Sequence, residues 1–88
     1  MAVSSHDIEL ALSAALHPLS LQVQDDSHLH AGHAGAREGR HFSVTVVSER
    51  FNGLSRLARH RLVYDSLGSQ MQHGIHALAI NARAPADR

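Results

Sequence analysis

The 88 residues carry eight arginines against eight acidic residues, nine histidines, no lysine and no cysteine. That length supports one domain, spanning 1–88, with a thin core burying roughly 60–65% of the unfolded surface. The missing cysteines exclude disulfides, thiol nucleophiles and thiolate-ligated metal supplied by this chain alone, and the balanced charge speaks against a strongly basic nucleic-acid binder.

Ser4-Ser5-His6-Asp7 reads as a capping-box start, and Ile8, Ala11, Leu12, Ala15 and Leu16 then recur at helical spacing until Pro18 stops the helix. Residues 19–24 alternate, predicting a half-buried strand with its leucines and valine inward. A loop rich in Gly, Ala and His follows, carrying His28, His30 and His33. Phe42-Ser43-Val44-Thr45-Val46 alternates again, and two such strands joined by a loop pair most economically as an antiparallel hairpin. Arg50 to Gly53 predicts a turn, Asn52-Gly53 being suited to positive φ. A short helical turn capped by Ser55 then leads into a main helix over about 59–72, ended at Gly74. On that helix His60, Val63, Tyr64, Leu67 and Met71 fall in one stripe, at about 100° per residue. Residues 75–82 form the last strand. His76, Leu78 and Ile80 share one face and Ile75, Ala77 and Ala79 the other, so the strand reads as apolar on both sides and central. Residues 84–88 read as a tail outside an ordered core of about 5–83.

The order helix–strand–strand–helix–helix–strand makes the last connection a right-handed crossover between parallel strands. The fold class is therefore α+β, a three-stranded mixed sheet with helices on one face. The N-terminus, MAVSSHDIEL, has neither a basic segment nor an apolar core, and no apolar run reaches about 18 residues, so the expected compartment is the cytoplasm, with no membrane partner.

Four features bear on chemistry. The loop imidazoles His28, His30 and His33 are of a type that ligates zinc, copper or iron, although a solvated polar loop is the commoner outcome of such composition. His76 stands at the start of the last strand, where a histidine is either a ligand or a core-edge residue bonded to backbone. His60 reads as a packed structural histidine, and Phe51 and Gly53 likewise read as structural residues. Arg50, Arg56, Arg59 and Arg61 gather near a helix start, where arginines clamp phosphates or acidic groups, or simply face solvent. No Ser-His-Asp order, paired carboxylates or phosphate-cradling glycine loop is present. That argues against an enzyme and against a small-molecule substrate.

The segments Val47-Ser48-Glu49-Arg50-Phe51-Asn52-Gly53, Arg59-His60-Arg61-Leu62-Val63-Tyr64 and Ile75-His76-Ala77-Leu78-Ala79-Ile80, in that order, resemble the BolA family. The stretch from Asp26 to Ala34 and the pair His41-Phe42 fit its loop and second strand. The resemblance implies a fold like the type II KH domain, α-β-β-α-α-β. It also implies a monothiol glutaredoxin with a CGFS motif as partner. The two would share a bridging [2Fe–2S] cluster, with thiolates from the glutaredoxin and glutathione and imidazole from this chain. By position His76 matches one ligand. The second is His30 if counted from Asp26-Ser27 and His33 if counted from His41. Mixed thiolate and imidazole ligation resembles Rieske-type centres, and protonation of imidazole should weaken it. The isolated chain would carry no cluster and would be a monomer. As the weaker alternative, the family resemblance also implies a transcriptional regulator of stress response and cell shape. The KH-type GXXG loop is missing, so DNA contact would fall to Arg56, Arg59 and Arg61.

Overall fold

The first helix is set by Ser4. Its hydroxyl accepts from the Asp7 N–H at 3.2 Å while the Asp7 carboxylate accepts from the Ser4 N–H at 2.9 Å, the reciprocal capping box. The computed structural model describes residues 3–26 and 40–87, with Arg40, His73 and His76 described as backbone only. Helix α1 (Ser5–Leu16) buries Ile8, Leu12 and Leu16, and closes with His17 in the left-handed region at φ 45°, just before Pro18.

Strand β1 (Ser20–Asp25) pairs antiparallel with β2 (Arg40–Val47), Val23 lying opposite Val44. Leu19, expected to face inward, precedes the strand and is exposed. Phe42, Val44, Val46 and Ser48 point into the core, the alternation predicted for this segment. A 3-10 turn (Glu49–Phe51) follows and buries Phe51 completely. Gly53 sits at φ 75°, a conformation that needs no Cβ, and so lets the chain turn into the next helix.

The two expected helical pieces, a short turn followed by a main helix over about 59–72, divide at a different place. Helix α2 (Arg56–Leu67), capped by the Ser55 hydroxyl accepting from the Ala58 N–H at 3.1 Å, ends at Gly68. Gly68 takes φ 56° and ψ −129°, open only to glycine, and this breaks the helix before a one-turn helix α3 (Gln70–His73). The buried stripe of α2 is correspondingly narrow. Val63 and Leu67 are buried, His60 is half-buried, and Tyr64 is exposed rather than part of the stripe.

Strand β3 (Ile75–Arg83) pairs in parallel with β2, completing a three-stranded mixed sheet in the order β1-β2-β3. The expected order is thereby corrected: β2 is central and β3 lies at an edge. Ala77 and Ala79 face solvent, so the apolar residues on both sides of β3 reflect small side chains rather than two-sided burial. Ser48 locks three elements together. Its hydroxyl donates to the Leu16 carbonyl at 2.7 Å and accepts from the Arg50 N–H at 3.1 Å, and its own N–H donates to the Arg83 carbonyl at 2.9 Å. The segment after β3 is also tied down, Ala84 being buried in the core cluster.

Candidate functional site

His76 lies at the end of the sheet where β1 ends and β2 begins. The histidine-rich segment leaves from Asp26 and returns at Arg40, and both anchors are fixed. The Asp26 N–H donates to the His41 carbonyl at 2.7 Å, and the Ser43 hydroxyl donates to the Asp26 carboxylate. Arg40 in turn pairs with Ile75, the residue before His76. His41 pairs with Ala77, so His76 is the extra residue of a bulge-like shift in the β2–β3 ladder. The shift also explains why the expected faces fail here: Ile75 is buried although Ala77 and Ala79, of the same parity, are exposed. His28, His30 and His33 lie outside the described residues. Their chain length allows an approach to His76, since the seven residues from His33 to Arg40 can extend over roughly 23–25 Å. Among the described residues no group of three or more His, Asp or Glu is arranged to hold a metal ion. The fit of a metal centre thus rests on donor chemistry: neutral imidazoles carried by two segments that the sheet holds at one end.

A second constellation surrounds the start of α2. The Arg59 guanidinium is 16% exposed and engages on every side. Its Nε donates to the Leu54 carbonyl at 3.0 Å and its Nη1 to the Ala82 carbonyl at 3.3 Å. Nη1 and Nη2 grip the Asp87 carboxylate at 2.5 and 3.1 Å, a fork-on-carboxylate pair. That side-chain bond, aided by the Ala84 N–H, brings the Asp87 carboxyl from 3.8 down to about 2. The same bond holds the Arg59 guanidinium above its ordinary value. Arg59, expected as a partner contact, therefore clasps the C-terminal segment to α2 and β3.

Arg56 and Arg61, the other two expected contacts, are exposed. Five positions apart, they lie about 140° around α2 and do not share a face. Arg56, Arg59, His60, Arg83 and Asp87 line a recess of about 420 Å³ between α2 and β3. Arg83 and Asp87 escape a sequence reading. Asp87 stands 28 residues from its partner, beyond a proline that reads as the start of a tail.

Fold and site together define a small α+β domain whose histidine-bearing segments are anchored at one end of a mixed sheet. The chain belongs to the BolA-like protein family, whose sequence pattern matches residues 12–87. It is 44% identical over 82 residues to SufE-like protein 1, chloroplastic/mitochondrial, of Arabidopsis thaliana, covering 86% of this chain and 22% of that much longer protein. It is 42% identical over 74 residues to a protein of Escherichia coli (strain K12) named DNA-binding transcriptional regulator BolA, covering 84% of this chain and 69% of that one. The solved structure of BolA1 from Arabidopsis thaliana superposes with a TM-score of 0.83 at 35% identity, covering 100% of this chain and 98% of the other. Relatives thus include organelle-named proteins. Among the described residues no helix is long and apolar enough to cross a membrane.

Proposed function

We propose that this protein is a non-enzymatic, cytoplasmic partner of a monothiol glutaredoxin, co-ligating a bridging [2Fe–2S] cluster in iron–sulfur transfer or iron sensing. The observation that carries this reading is the tethering of both anchors of the histidine-rich segment beside His76. Arg40 pairs with Ile75, and Asp26 is bonded to His41. His76 would be one ligand and His30 or His33 the other. The glutaredoxin and glutathione would supply the thiolates that a cysteine-free chain lacks. When bound, the cluster offers transferable iron and sulfide and one-electron chemistry. This chain's part is to present neutral imidazole, a ligand that protonation removes, and that suits release better than storage. The test mixes purified protein with a CGFS glutaredoxin, iron, sulfide and glutathione, and records visible circular dichroism and complex size. A heterodimer with a spectrum distinct from the glutaredoxin homodimer is the expected result. A spectrum identical to the homodimer's refutes the reading.

The name of the Escherichia coli relative favours a second reading, DNA binding in transcriptional regulation. Arg56 and Arg61 would carry the phosphate contacts, since Arg59 is engaged internally. It predicts affinity that falls steeply with salt, with each lost arginine lowering the salt slope by about one. Affinity that is flat in salt would exclude it.

A further inference from the structure

The first turn of α2 breaks a rule of helix electrostatics. The amino end of a helix favours acidic side chains and disfavours cations. Here the first turn contains no acidic residue and instead carries Arg56 and Arg59, in a chain whose net charge is zero. Arg83, on the adjacent β3, adds a third guanidinium to the same recess, and His60 adds an imidazole. Among the described residues the one acidic side chain lining it is Asp87, which arrives from far along the chain. A local arrangement that costs the helix stability, with no gain inside the helix, marks a place kept for something else.

The occupant visible in the structure shows what the recess accepts. Asp87 enters at the end of a short peptide turn, Ala84-Pro85-Ala86-Asp87, closed by the Asp87 N–H donating to the Ala84 carbonyl at 3.0 Å. Its carboxylate takes both arms of the Arg59 fork. Arg56 and Arg83 remain exposed at the rim. Among the described residues the Arg83 Nε donates a long bond, at 3.4 Å, to the Asn81 side chain. Leu54 and Ile80 supply apolar wall, suited to the methylenes of an acidic side chain. Among the described residues no Phe, Tyr or Trp lines the recess, and the His60 imidazole is its one ring.

We propose that this recess is a docking site for an acidic segment of a partner protein, its Asp or Glu carboxylate replacing Asp87, which serves in the free chain as a built-in competitor. The site lies toward the opposite end of β3 from His76 and does not depend on the cluster-ligand reading. Binding of a partner carboxylate would release the C-terminal segment from Arg59 while keeping the guanidinium paired, so the swap leaves no buried charge uncompensated.

The experiment uses the full chain and a labelled synthetic peptide, Ala-Pro-Ala-Asp-Gly, with the Asn-for-Asp peptide as control. Fluorescence anisotropy at about 0.15 M salt is compared for the native protein and Asp87→Asn. The account expects at least about tenfold tighter binding by Asp87→Asn, because the internal competitor is gone. Adding Arg56→Ala and Arg83→Ala should abolish that gain, and the Asn peptide should not bind. Heteronuclear NMR of the native protein gives a measure that does not rely on the variant folding: millimolar peptide should shift the Arg59 Nε–H. Equal affinity in the two proteins, an unmoved Arg59 signal, or binding indifferent to Arg56 and Arg83 each overturns the proposal. So does stoichiometric displacement of the peptide by a DNA duplex.

Discussion

Replacing Ser48 by alanine should destabilise the protein far more than the size of the change suggests. Ser48 is fully buried, and its hydroxyl serves two backbone groups at once. The Leu16 carbonyl, one of the last in α1, would lose its 2.7 Å donor in a dry environment, a loss of about 1–3 kcal/mol. The Arg50 N–H is only part-buried and can recover water, so its share is about 0.5–1.5 kcal/mol. The total, about 2–4 kcal/mol, corresponds to a drop in Tm of roughly 10–30 °C for a domain of this size. Ser66→Ala is the control. The Ser66 hydroxyl also donates to a backbone carbonyl at 2.7 Å, that of Leu62, but it does so within α2, one turn back. Such back-bonding contributes nothing net to a helix, and alanine is the better helix former, so stability should change by less than about 0.5 kcal/mol. Thermal unfolding followed by far-ultraviolet circular dichroism compares the two. Equal losses, or a Ser48→Ala protein as stable as the parent, would refute the idea that Ser48 joins α1, the 3-10 turn and β3.

Two further predictions concern the periphery of the sheet. The Asp87 carboxyl titrates near 2 when folded and near 3.8 otherwise, so the folded state binds fewer protons between these values. Its contribution to stability is complete above about pH 4 and vanishes as pH falls through about 2, and Asp87→Asn should flatten the fall in Tm across that interval. A wild-type and variant difference independent of pH would contradict the ion pair. At Gly74 an added Cβ would overlap the Val3 side chain and come within 3.0 Å of the Val3 backbone nitrogen, so Gly74→Ala should cost roughly 1–3 kcal/mol. Combined with Val3→Ala it should cost less than the sum of the two changes, as read by a urea-denaturation cycle; strict additivity would show that the residues do not touch.

How much was legible follows from where each determinant lies. The cap of α1 is written within four residues, Ser4 to Asp7, and β2 declares itself by alternation, because its own side chains meet the core. The crossover to a parallel strand follows from element order alone. The rank of β3 in the sheet is not local information: alanines at 77 and 79 satisfy an apolar pattern equally well when buried or exposed. Gly68 was readable as a helix breaker in principle. Serine and glutamine after it carry no penalty strong enough to mark the stop, and only its mirror-image backbone torsions reveal it. The role of Arg59 depends on Asp87, a partner that no short-range spacing could indicate. The candidate ligands show the reverse case, since His76 is found by motif while the bulge that carries it is visible only in the ladder register.

Shared cluster ligation stands or falls on His76→Ala in the reconstitution with a CGFS glutaredoxin, iron, sulfide and glutathione. The account predicts a folded variant that no longer yields the heterodimer's visible circular dichroism spectrum. Under the same conditions, either His30→Ala or His33→Ala, but not both, alters it. A cluster spectrum unchanged by His76→Ala would contradict the account.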